Sequence, residues 1–450
     1  MVPPVARRTG TWLLTLSLAA ALPPILDPHP RAAAGPAVAP AQPTPRVVLS
    51  LADGLKSAKA DERASAAREL GLRGTDAVSA IPSLVGLLGD EALVSSLPCG
   101  DDGDGWKRCG ESSEIFDCAT SPAREASRAL ARIGLAAMKP LVDALTDVSA
   151  TVRRYAAIAI GLADDKAVVR PALVSLQTTL RDTDWQVRRS AVWALGEVHD
   201  ASLLTPISAR LKDDNASVRR MAAHGLGEME DRRAVSALLD TLGDPEWTVR
   251  REVVHALGEL HATEAVDALV KQLDDEHPEV RYVAVWALGE IKDQRATPGL
   301  RHALDDREAN VRRQAAWALG EMHDASSVDA LLNTLTHDAA PTVRHMAAWA
   351  LGELHEERSV RGLAAGLKDS DRDVRDMTAW ALGELESADG LDPLMAALHD
   401  PEWRVRAKAA WAIGQIADHR SADALTASLK DERPEVRQMA AWALAQVTER

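Results

Sequence analysis

The stretch VRYVAVWALGEI, Val280–Ile291, decides how the rest of the chain is read. With Val280 as position zero and about 100° of turn per residue, Val280, Ala284, Ala287, Leu288 and Ile291 share one arc of about 100°. That is the apolar stripe of an amphipathic helix. Upstream, AVDALVKQL (Ala265–Leu273) reads as a shorter helix. Between them lies an acidic turn with Asp275 and Pro278. Proline is well tolerated in a helix's first turn, where its missing N–H costs little. Together the two segments predict a helical hairpin.

The hairpin recurs. The dipeptide Val-Arg starts at Val152, Val187, Val218, Val249, Val280, Val311, Val343, Val374, Val405 and Val436. From Val187 the spacing is 31 residues, with a single 32 between Val311 and Val343. Self-similarity at this period predicts a solenoid. A globular reading of 450 residues would give about three domains. A repeat array escapes that arithmetic because its core grows along one axis. Composition agrees: alanine-rich segments favour helix, and runs of strand-forming residues bounded by turns are missing.

Each unit places Asp five residues before its Val, at Asp147, Asp182, Asp213, Asp244, Asp275, Asp306, Asp338, Asp369, Asp400 and Asp431. The pattern Asp-x4-Val-Arg-x2-Ala-Ala-x-Ala-Leu-Gly resembles the HEAT repeat, in the type named for phycobilisome lyase HEAT-like proteins. The resemblance implies an all-α, right-handed solenoid of about twelve hairpins. The regular array covers 135–450. Degenerate hairpins fill 47–134 and carry an insertion at 90–121. The Asp and the Arg of the Val-Arg pair are expected to form a charge-assisted ladder, within one unit or between neighbours. Gly at position 9 costs an isolated helix about 1 kcal/mol, so its recurrence points to close contact.

Positions 2, 6 and 10 point away from the apolar stripe. The resemblance implies that they line the concave surface. Position 6 holds Trp193, Trp286, Trp317, Trp349, Trp380, Trp411 and Trp442. Position 10 holds Glu197, Glu228, Glu259, Glu290, Glu321, Glu353 and Glu384. Position 2 is Arg189, Arg220, Arg251 and Arg313, with Tyr282, His345, Asp376, Ala407 and Gln438 as departures. The chain has twelve Trp against one Phe and two Tyr, so this stripe concentrates its aromatic content. Two readings stand side by side. Each indole lies across its neighbour and seals the stack, or the row is a groove for a basic or amphipathic protein or peptide.

Chemistry offers less. His224 and His255 replace Trp in adjacent units, each followed four residues on by Glu228 or Glu259. Residues four apart share a helix face, so a metal-binding or metal-dependent site at these four is the alternative function. Deoxyhypusine hydroxylase, a di-iron HEAT enzyme, carries His-Glu dipeptides at positions 2 and 3. Here those positions read Arg189-Ser190, Arg220-Met221, Arg251-Glu252, Arg313-Gln314 and His345-Met346, so that resemblance fails. No phosphate loop or nucleophilic triad is evident. The expectation is a protein that is not an enzyme and needs no cofactor.

The formal charge of −15 repels phosphate backbones, which argues against nucleic acid as a partner. Arg7 and Arg8, an apolar run from Trp12 to Leu22, and Ala32 and Ala34 have the order of a signal peptide over 1–34. A Pro- and Ala-rich linker follows over 35–46. The expectation is export to a periplasmic or extracellular space, with no stable membrane span after cleavage. Cys99, Cys109 and Cys118 lie in the insertion. Export permits one disulfide among them, with the pairing open.

Overall fold

The computed structural model describes residues 45–94 and 121–449. The signal-peptide segment and all three cysteines lie outside the described residues. Every described element is helical. Two long helices, Ala60–Leu72 and Pro122–Ile133, precede a regular series: Ala150–Gly161, Trp185–Gly196, Ala216–Glu228, Trp247–Glu259, Pro278–Ile291, Ala309–Glu321, Pro341–Glu353, Arg372–Glu384, Trp403–Ile416 and Pro434–Glu449. These second helices of the hairpins pack against one another along their lengths.

The first helices are shorter and less regular than the sequence suggests. Ala265–Leu273 is not one helix. It divides into a 3-10 turn, Thr263–Ala265, an α-helix, Val266–Lys271, and a second 3-10 turn, Gln272–Asp274. The cause is the sharp entry from the preceding helix. His199, Glu230, His261, Lys292, His323, His355, Glu386 and Ala417 all adopt a left-handed backbone, with φ between 45° and 56°. The chain reverses there, and Asp200, Asp231, Asp293, Asp324 or Asp418 then caps the new turn by accepting a backbone N–H. Glycine is the usual residue at such a reversal, but here polar side chains occupy it, with Ala417 as the exception.

The expected apolar stripe is the core. Val280, Ala284, Ala287 and Leu288 are fully buried, as are their counterparts Val343, Ala347, Ala350 and Leu351. Burying each valine or leucine of this set stabilises by about 1.5–3 kcal/mol relative to exposure.

The ladder runs between units. Arg281 Nε donates to Asp306 Oδ2 at 2.6 Å, and its Nη2 donates to Asp306 Oδ1 at 2.9 Å. Its remaining nitrogen, Nη1, donates to the backbone carbonyl of Asp275 in its own turn at 2.9 Å. Asp306 also accepts the Glu308 N–H at 2.8 Å. Each rung thus fixes one turn and clamps the next. The same bidentate geometry joins Arg153 to Asp182, Arg188 to Asp213, Arg219 to Asp244, Arg250 to Asp275, Arg312 to Asp338, Arg344 to Asp369, Arg375 to Asp400, and Arg406 to Asp431.

The ladder is interrupted beside the insertion. Counted from the core residues of Pro122–Ile133, Ala123 stands where the other units have Arg. Its N–H instead donates to the Asp90 carbonyl at 2.9 Å, which brings the two flanks of the insertion together. Asp147, next in line, is exposed: its carboxylate accepts the Ser149 N–H at 2.8 Å, and its backbone carbonyl accepts Arg153 Nη1 at 2.8 Å.

Candidate functional site

The Trp row lies on one ridge formed by successive second helices. Each indole reaches back over the glycine at position 9 of the unit before it. A methyl group placed on Gly258 would sit 2.7 Å from Trp286 Cζ3, and one on Gly320 would sit 2.8 Å from Trp349 Cζ3. The same contact pairs Gly161 with Trp193, Gly289 with Trp317, Gly352 with Trp380, Gly383 with Trp411 and Gly414 with Trp442. Alanine from the next unit closes in from the other side: for Gly320, both Cα and Cβ of Ala350 would lie 3.0 Å away. Glycine is therefore required by the indole and the neighbouring backbone together.

The indoles differ in what they leave free. Trp193 is buried, at 9% exposure, and presents little surface to a partner. Trp286, Trp317, Trp349, Trp380 and Trp411 are half-buried, one part sealing the seam and the rest facing outward. Trp442 is the most open, at 38%. The row therefore seals the stack, and from Trp286 onward it also leaves indole surface facing outward.

The carboxylates flank this surface and are partly held by neighbours. Lys292 Nζ lies 2.8 Å from Glu321 Oε2. His261 Nδ1 lies 3.2 Å from the backbone oxygen of Glu290, and His323 Nδ1 lies 3.0 Å from that of Glu353. These partners come from the left-handed residues that end the preceding helices. Glu197, Glu290, Glu353 and Glu384 are half-buried on the ridge. Burial raises the Glu384 carboxyl above its ordinary range, opposed by His355 and reinforced by Glu353 and Glu386.

The expected His/Glu constellation is not assembled. His224 does not turn to Glu228. Its Nδ1 lies 3.1 Å from Oε1 of Glu252, a buried carboxylate on the next unit. His255 stacks on Trp286 with ring centroids 4.7 Å apart, and its Nε2 is 3.6 Å from Glu259. Glu228 is exposed and well hydrated, so a pair with it gains little. Glu252 is desolvated and needs a partner. Among the described residues no group of three or more His, Cys, Asp or Glu is arranged to hold a metal ion.

The hydrogen bond to Glu252, with burial opposing it, raises the His224 pKa above the usual imidazole value. Burial works against the charge on Glu252, but His224, His255 and Arg251 carry its pKa below the ordinary range. A raised histidine pKa adds stability that is fully present below the unfolded value and is lost as pH rises through the folded one. Thermal stability is therefore expected to fall between mildly acidic and mildly alkaline pH. Glu252→Gln should flatten that fall in a melting series. An identical slope in the variant would show that this pair does not titrate with folding.

Sequence reasoning passed over a second aromatic set. Trp185, Trp247 and Trp403 begin their helices on the turn side. Trp247 stacks on His277 at 5.2 Å, and the Arg433 guanidinium lies 4.6 Å from the Trp403 ring. Their shared place two residues before the repeated Val was the available signal.

Stacked helical hairpins clamped unit to unit make this an all-α repeat solenoid. The family description "HEAT repeats" matches residues 172–247, 236–310, 298–379 and 360–445, which together span more than half of the chain. The chain belongs to the HEAT repeat family. No curated protein matches it. Among solved structures it is similar to Kap95p in its complex with RanGDP, with a TM-score of 0.54 and 16% identity, covering 89% of this chain and 59% of that one. It is also similar to a Kap121p mutant, with a TM-score of 0.55 and 14% identity, covering 90% of this chain and 50% of that one. The chain thus spans less than two thirds of either protein's length. At these identities the likeness shows the fold alone.

Proposed function

We propose that this chain is a non-catalytic scaffold that binds a protein or peptide along the ridge from Trp286 to Trp442. One observation carries the reading: successive half-buried indoles on one face, each flanked by a carboxylate or, at Gln415 and Gln446, an amide. Tryptophan offers large rigid contact area and is enriched at interface hot spots. Glu290, Glu321, Glu353 and Glu384 favour a partner bearing Lys or Arg, and indole faces also take cations. Binding should therefore weaken as salt rises. HEAT solenoids generally act as protein-interaction scaffolds, which agrees with the reading. Export, proposed from the N-terminal sequence, would place that partner outside the cytoplasm.

The test is a comparative capture from the host's extract with two baits. One is the chain itself. The other carries Trp286→Ala, Trp317→Ala, Trp349→Ala and Trp380→Ala, and is checked for helicity. A partner held only by the intact ridge, and released by moderate salt, is the expected result. Equal recovery on both baits would reduce the Trp row to a packing feature.

A further inference from the structure

The Trp–Gly seam receives one of the chain's own indoles at seven places and none at two adjacent ones. Where Trp follows, the indole Cζ3 would come within 2.5–2.8 Å of a methyl on the glycine. Where His224 and His255 follow, no ring does. The three atoms nearest such a methyl on Gly196 are all backbone of Gly225, at 3.1, 3.8 and 3.9 Å. For Gly227, only Cα and Cβ of Ala256 come within 4 Å, both at 3.1 Å. The two imidazoles lean the other way, His224 to Glu252 and His255 onto the Trp286 ring. Gly225 also replaces the alanine found at this place in neighbouring units, which removes another methyl from the floor.

We infer that the two slots over Gly196 and Gly227 take an aromatic side chain, an indole by preference, from the protein that docks on the ridge. The inference rests on the proposed ridge function and names what the partner must present there. The argument for this occupant is internal to the chain, because the same glycine floor and helix spacing accept an indole in seven other seams. Both glycine floors are buried in the chain alone, so an indole from a partner would enter by pushing the imidazoles aside and would then pack against Gly and Ala.

The test uses the full chain labelled with ¹⁵N-glycine and N-acetyl-tryptophanamide as the probe. Saturable shifts are expected at the amides of Gly196, Gly225 and Gly227. The amides of Gly258, Gly289, Gly320 and Gly352, whose slots hold the chain's own indoles, should stay in place. His224→Trp with His255→Trp should abolish the shifts, with Glu252→Gln added so that no buried carboxylate loses its partner. Circular dichroism checks that this chain folds. Trp317→His should do the reverse and bring Gly289 among the shifting amides. Shifts at the covered glycines, shifts that survive in the filled variant, or none up to the probe's solubility would overturn the inference. Its failure is distinct from failure of the ridge. A partner lost on Trp→Ala but kept by the filled variant would leave the ridge standing and remove the slots.

Discussion

Asp306→Ala is expected to lower stability by about 3–5 kcal/mol, the usual cost of removing one partner from a buried ion pair. It leaves Arg281, whose side chain is 5% exposed, with only the Asp275 and Glu276 backbone carbonyls among its described hydrogen-bond partners. Burial works against the charge on Asp306, yet Arg281 and the Glu308 N–H hold its carboxyl below the ordinary range. That stability is therefore present above the unfolded carboxylate value and is lost as pH falls through the lowered one. Because each unit touches only its neighbours, the loss should be local. Denaturant unfolding should divide into two transitions, with hydrogen exchange accelerated first around Pro278–Ile291 and Ala309–Glu321. A single transition at the unchanged midpoint would show that the rungs are ornamental.

Gly320→Val should cost about 2–3 kcal/mol, at the upper end for overpacking a filled interior. Its Cβ would meet Trp349 at 2.8 Å and the Ala350 backbone at 3.0 Å, and the backbone has no room to yield. Gly86→Ala is the matching control. Nothing lies within 4 Å of its added methyl, so the gain in helix propensity should leave stability equal or slightly higher. Chemical denaturation of the two variants decides the matter. Equal effects would mean that the glycines are kept for backbone reasons and not for the indoles.

Much of this architecture was legible in the sequence because its period is strict. The Val-Arg spacing gave the hairpins, and the angular positions of Val280, Ala284, Ala287, Leu288 and Ile291 gave the core face. The direction of the ladder was open, since a sequence shows that Arg281 and an Asp recur together but not which turn the guanidinium reaches. The Trp–Gly interlock was hidden for a similar reason. Trp349 and Gly320 belong to different units, and only the axial offset between helices brings them together. His255 keeps its neighbour Glu259 at 3.6 Å, but His224 does not keep Glu228, so the four groups do not converge. Glu252, on another unit and short of water, outcompeted Glu228 for His224.

The central claim is that the outward part of the Trp row, from Trp286 onward, is the working surface. The most direct measurement is hydrogen–deuterium exchange on the chain with and without the protein captured by the intact ridge. Protection is expected on the second helices Pro278–Ile291, Ala309–Glu321, Pro341–Glu353 and Arg372–Glu384, while the first helices between them exchange as before. Protection confined to the first helices or the turns, with the second helices unchanged, would contradict the account.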